Sequence, residues 1–138
     1  MSAAIEAVFD RWYAALRSGD MAAFRGVAAP DIVVRWNGPP DLIPWAGEHH
    51  GLEAALAFFG KVGAALEILS VAPVERLLAA DKALLVLAGH WRVRATGQEL
   101  HLRAANLFSF RDGLVVAYEV FPDSAAFVRA LKPTFLAP

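Results

Sequence analysis

Apolar residues at the start of the chain return at helical spacing. Ile5, Val8, Phe9, Trp12 and Leu16 share one stripe, which predicts an amphipathic helix over about Ala3 to Arg17 with its aromatic side turned inward. Ser18-Gly19-Asp20 ends that helix, and Asp20 is placed to cap a second, short one carrying Phe24, Val27 and Ala28 and closed by Pro30. The period then changes to two: Ile32, Val34 and Trp36 alternate with Val33, Arg35 and Asn37, the pattern of a strand with one buried face. Three prolines between Gly38 and Gly47 predict an irregular surface loop near one end of a sheet. From Gly51 the helical period resumes through Leu52, Ala55, Leu56, Phe59, Val62 and Leu66.

Beyond this helix the signals are strands: Glu67 to Val74, Lys82 to Ala95, Glu99 to Arg111 and Leu114 to Phe121, with turns at Thr96-Gly97 and Asp112-Gly113. Asp123-Ser124 introduces a short helix through Phe127, Val128 and Leu131 that Pro133 stops. The apolar tail Thr134 to Pro138 either packs on a sheet or partner or is loose. Helices first and consecutive antiparallel strands afterwards favour an α+β fold in which a curved sheet wraps around the helices and leaves an internal pocket.

Hairpin geometry sorts the side chains. A two-residue turn at Thr96-Gly97 sets Trp91 opposite Leu102 and Leu87 opposite Asn106 on one face. The other face then pairs Arg94 with Glu99, Arg92 with His101 and His90 with Arg103. A three-residue connection at Arg111-Asp112-Gly113 brings Tyr118 opposite Asn106 inside and leaves Glu119 outside, and a bulge in either strand would reverse part of this assignment.

At 138 residues, with no linker or repeat, the chain is expected to form one domain over residues 1–138. Its 57% apolar content exceeds the usual globular share while only 20% is charged, so the excess must fill a core, line a pocket or cover a subunit interface; a homodimer is the expected outlet. A net charge of −1, with both signs spread along the chain, offers no footprint for nucleic acid. Cysteine is absent, the N-terminus lacks the regions of a signal peptide, and charged residues interrupt every apolar stretch long enough to cross a membrane. The expectation is a soluble cytoplasmic protein.

Several strings taken in order carry a family resemblance: Trp12-Tyr13-Ala14-Ala15-Leu16 with Gly19-Asp20, Asp31-Ile32-Val33-Val34, Pro44-Trp45-Ala46-Gly47 with His50-Gly51, Thr96-Gly97, and Asp112-Gly113-Leu114-Val115. Over nearly its whole length the chain resembles the nuclear-transport-factor-2-like superfamily, in particular its SnoaL-like and ketosteroid-isomerase-related branch. That resemblance implies a cone-shaped fold around a mostly apolar cavity, often in a homodimer, and it implies no single reaction, because such folds carry many chemistries. Ketosteroid isomerases use an aspartate base with a tyrosine and a protonated aspartate as donors. The resemblance puts Trp12 at the tyrosine position, Trp36 at the base position and Asn106 at the second aspartate position, so a donor remains but no base, and classical steroid isomerisation is disfavoured. Limonene-epoxide hydrolases use an aspartate–arginine–aspartate set, and the matching positions here read Leu87, Gly89 and Val120, which disfavours that reaction too. SnoaL-like cyclases rely on a carboxylate near the end of the last strand, for which Asp123 is the nearest candidate.

Each candidate also has a plain structural role. Asp123 stands at a helix start, where capping alone accounts for it; a capping carboxylate is a poor proton acceptor, whereas a catalytic one would be desolvated. His49 and His50 lie beside the Pro44-Trp45 loop, where His50 is a candidate acid/base at a cavity mouth, but adjacent histidines without a further ligand at suitable spacing make a poor metal site. His90, Arg92, His101 and Arg103 bind an anion if their face points inward and form a polar outer face or dimer surface if it does not. Trp12, Trp36, Trp45, Trp91 and Tyr118 suit core or cavity wall, and together a flat apolar or aromatic ligand. The leading expectation is a protein that binds or transforms a small hydrophobic, carbonyl-bearing molecule by side-chain acid/base chemistry, with Asn106 as donor and Asp123 or His50 moving the proton. No organic cofactor and no metal is called for. The alternatives are a non-catalytic small-molecule-binding module and a dimeric interaction domain with a filled centre.

Overall fold

The computed structural model describes residues 2–132, so the tail from Thr134 to Pro138 lies outside the described residues. The elements in order are α1 (Ser2–Ser18), α2 (Met21–Phe24), β1 (Ala28–Trp36), β2 (Gly47–His50), α3 (Leu52–Ala65), β3 (Leu66–Leu78), β4 (Lys82–Val93), β5 (Glu99–Arg111), β6 (Leu114–Phe121) and α4 (Ser124–Leu131). The six strands form one curved, unclosed sheet in the order β2-β1-β6-β5-β4-β3. Every neighbouring pair is antiparallel except β1 and β6. The fold is thus α+β, with α1 and α3 packed on the inner face of the sheet.

The α1 stripe behaves as its spacing predicts: Ile5, Val8, Phe9, Trp12 and Ala15 are buried. Trp12 sits at the centre of an aromatic cluster, with ring centroids 4.9 Å from Tyr118, 5.0 Å from Phe24 and 5.6 Å from both Phe59 and Phe108. Such edge-to-face contacts add to the area each ring buries and fix how α1 sits on the sheet.

The second helix is shorter than its pattern suggests. It ends at Phe24, and Val27 and Ala28 lead into β1, which starts at Ala28 rather than Ile32. The register of β1 against β6 shifts between Ala28 and Val33, a break that accommodates Pro30, which has no N–H to give the ladder. The proline-rich segment after β1 is not a simple surface loop: Ile43 and Trp45 are fully buried within it. Apolar side chains outweighed the prolines, and the segment turns back so that Gly47–His50 pairs with β1 as β2, an element the pattern did not indicate.

Both hairpin registers differ from the simplest geometry. The β4–β5 connection runs from Arg94 to Gln98, so Trp91 faces Leu100, His90 faces His101 and Leu85 faces Asn106. Relative to a two-residue turn this is a slip of two, which conserves the face of every side chain. The β5–β6 turn holds two residues rather than three, with Asp112 and Gly113 at φ of 55° and 77°, the left-handed pair a tight hairpin requires. A bulge near Ser109 and Phe110 compensates, so Tyr118 stays inside, opposite Phe108, while Val120 faces Asn106. The edge strand β3 is longer than predicted, and its register breaks twice, beside Ile68 and beside Pro73.

Candidate functional site

Between α1, α3 and the inner face of the sheet lies a cavity of about 830 Å³ that opens to solvent. Its wall is mostly apolar. Trp36 reaches it from β1, Trp91 from β4, Phe58 and Phe59 from α3, and Phe127 from α4. The position of Trp91 depends on its strand neighbour two residues back. A Cβ on Gly89 would lie 2.0 Å from the Trp91 ring, so the indole lies across the bare backbone of that glycine.

Three polar side chains meet in this wall. Asn106, only 3% exposed, donates through Nδ2 to the Tyr13 hydroxyl at 2.8 Å. Tyr118 faces the same space from β6. Burial pushes the Tyr13 hydroxyl well above its ordinary value, partly offset by the hydrogen bond from Asn106. Burial, and then the neighbouring Tyr13, hold Tyr118 high as well, against a smaller opposing influence of Trp12. Both phenols therefore stay protonated at neutral pH and serve as donors, not bases.

Charge is confined to the rim. Glu6 is ion-paired with Arg76 across the gap between α1 and β3, and Glu67 is tied at 2.9 Å to Arg92, which lies outside the cavity. Asp10, one turn before Tyr13 on α1, also lines the cavity, and no ion-pair partner is found for it among the described residues. Arg94 borders the opening and donates through Nε to the Gly63 carbonyl at 3.0 Å.

The residues singled out in the sequence separate into two groups. Asn106, Trp36, Trp91 and Tyr118 line the cavity. Trp12 and Trp45 are completely buried in the packed core and do not, and among the described residues neither indole N–H has a hydrogen-bond partner. Asp123 is the N-cap of α4, accepting from the Ala126 N–H at 3.2 Å, and is exposed outside the cavity. His50 is exposed on β2 and contacts Glu48 at 2.7 Å, while the His49 ring bonds the Trp45 carbonyl at 2.9 Å and packs on Phe58. His90, Arg92, His101 and Arg103 lie on the outer face of the sheet, opposite the one that carries Asn106. Tyr13 and Asp10 are cavity residues that the sequence pattern did not single out, although Phe9, Tyr13 and Leu16 are spaced by four and three and so share one face of α1.

Comparison with known proteins agrees with this architecture. An NTF2-like protein from Burkholderia xenovorans LB400 superposes with a TM-score of 0.81 at 26% identity, covering 91% of this chain and 93% of that one. An NTF2-like protein from Burkholderia pseudomallei K96243 gives 0.82 at 20% identity over 96% of this chain and 99% of that one. TerC, co-crystallised with polyporic acid, gives 0.81 at 21% identity over 94% and 98%. No curated protein matches the chain. The family model of the SnoaL-like domain matches residues 9–118, from the first aromatic of the α1 stripe to the cavity tyrosine of β6, and the chain belongs to this SnoaL-like family within the nuclear-transport-factor-2-like superfamily.

Proposed function

We propose that the cavity takes up a small, flat, hydrophobic molecule bearing a carbonyl oxygen, and that Tyr13 and Asn106 hydrogen-bond that oxygen. The observation that carries this reading is the 2.8 Å contact between Asn106 Nδ2 and the Tyr13 hydroxyl within an aromatic wall. With one amide hydrogen engaged, the second amide hydrogen and the Tyr13 O–H remain for a guest. Two neutral donors in an apolar wall polarise a carbonyl and, once a guest has displaced water from the cavity, stabilise negative charge on its oxygen. The neighbour crystallised with polyporic acid is in keeping with a cavity for small organic molecules.

Donation alone binds and polarises; turnover needs a proton acceptor. Asp123 and His50 lie outside the cavity, so the group that favours a catalytic second reading is Asp10, an exposed carboxylate at the cavity rim one turn from Tyr13. In that reading Asp10 takes a proton from the carbon next to the polarised carbonyl.

Trp36 and Trp91 make the test direct, since a guest between them alters their emission. Titration with 9-fluorenone is expected to give saturable quenching, weakened about 2- to 13-fold by Tyr13→Phe or Asn106→Leu, the worth of roughly 0.5–1.5 kcal/mol per hydrogen bond. Fluorene, which lacks the oxygen, should be indifferent to both changes, and Asp123→Ala should leave fluorenone binding intact. Equal binding of the two compounds, unchanged in both variants, would refute the donor role. Exchange of the α-hydrogens of a bound indanone into deuterated water, lost in Asp10→Asn, would favour the catalytic reading; its absence in the parent would leave a binding protein.

A further inference from the structure

Outside the cavity, one group of side chains has an arrangement that the proposed binding reaction does not use. His90 on β4 and His101 on β5 are directly paired across the strands, and their imidazole rings stack with centroids 3.8 Å apart and planes 22° from parallel. Glu99, two residues before His101 and therefore on the same face, reaches His90 Nε2 with one carboxylate oxygen. A nitrogen of each ring and an oxygen of Glu99 all lie within 4.8 Å of one another, and among the described residues this is the one such group of three.

We propose that His90, Glu99 and His101 form a binding site for a borderline divalent transition ion such as zinc, held by two imidazoles and one carboxylate on the outer face of the sheet. The donor set fits this ion class: imidazole nitrogens suit zinc, copper and nickel, whereas calcium and magnesium require oxygen donors. Ligand bonds of about 2.0–2.1 Å in tetrahedral geometry separate neighbouring donors by about 3.3 Å, within the span already present. Two adjoining antiparallel strands supply all three ligands, and the stacked rings have to turn about their side-chain bonds so that both in-plane lone pairs converge on the ion.

The second oxygen of Glu99 faces Arg92 at 3.8 Å, and Arg92 is itself bonded to Glu67 at 2.9 Å. A partner on the non-ligating oxygen is the outer support that orients a metal-binding carboxylate. Entry of the ion takes the place of the direct contact between His90 Nε2 and Glu99. Three protein ligands leave the fourth tetrahedral position to water.

This assignment departs from the expectation of no metal and stands apart from the cavity reading, because neither histidine nor Glu99 lines the cavity. The test is calorimetric titration of tag-free, chelator-treated protein with zinc chloride, with cobalt absorption reporting the coordination. The expected result is one ion per chain with micromolar affinity, and intense cobalt bands of a four-coordinate site. His90→Asn and His101→Asn should each weaken zinc at least about tenfold, and Glu99→Gln several-fold, while His50→Asn leaves affinity unchanged. Circular dichroism checks that each variant folds. Absence of binding at 100 micromolar zinc, or binding lost in His50→Asn and retained in the His90 and His101 variants, would overturn the assignment.

Discussion

The Tyr13–Asn106 contact can be weighed by removing each partner in turn, because the two losses are unequal. Tyr13→Phe deletes the hydroxyl that accepts from Asn106 at 2.8 Å and leaves an amide that is 3% exposed without its partner. An orphaned buried polar group costs about 1–3 kcal/mol. Asn106→Leu instead leaves the hydroxyl of a half-buried tyrosine on the wall of an open cavity, where water reaches it; that loss is about 0.5–1.5 kcal/mol. With both partners replaced by apolar groups of similar shape, neither orphan remains, and the double variant should be more stable than the sum of the single losses by about 1 kcal/mol. Urea unfolding of the four proteins, followed by tryptophan emission and circular dichroism, reads these differences. In a domain of this size each kcal/mol moves Tm by roughly 2–6 °C. A Tyr13→Phe protein within about 0.3 kcal/mol of the parent, or a strictly additive double variant, would refute the claim that this pair is a coupled donor–acceptor unit with a buried amide.

Two further outcomes follow from burial. Tyr13 and Tyr118 are the two tyrosines of the chain, and both phenols are held above their ordinary value in the fold. The native state therefore retains protons that the unfolded state begins to lose near pH 10, so this contribution to stability is complete below that pH and declines as the pH rises beyond it. Tyrosinate absorption near 295 nm should appear together with unfolding; a native protein titrating both phenols near pH 10 would contradict their burial. On the outer face of the sheet, Ala105, Leu107 and the half-exposed Phe121 form an apolar patch that we expect to pair two copies of the chain. Light scattering should show the mass of a dimer, and a monomeric mass at high micromolar protein would refute that expectation.

Periodicity made the layers of the fold legible because burial imposes it. The α1 stripe, the alternation in β1 and the inward set of β4 and β5 all had one buried face, and a register slip of two residues cannot exchange faces. Where the chain departs from a regular period, local signals misled. The prolines from Pro39 to Pro44 suggested an exposed loop, yet Ile43 and Trp45 carry enough apolar surface to draw that segment into the core and set up β2. In the site, Asn106 and Tyr118 could be placed because strands fix facing. Tyr13 was not legible beside Trp12, which fits the core stripe, because a helix turns by about 100° between them and one packs in the core while the other borders the cavity. Asp123 shows the converse: a carboxylate at the end of the last strand serves the backbone of α4.

The long edge strand β3 bears on how the chain behaves in the company of its own copies. Thirteen residues at the border of a sheet present a row of unpaired amides and carbonyls, and Ile68, Val74, Leu77 and Leu78 stand exposed along it. Such a border is a template on which a foreign strand can add. Pro73, which has no hydrogen to offer, and the two register breaks cut that template into pieces too short to hold a newcomer. The irregularities of β3 thus sit where gatekeepers against aggregation are needed, and they bear on the colloidal fate of the chain at high concentration rather than on the strength of its core.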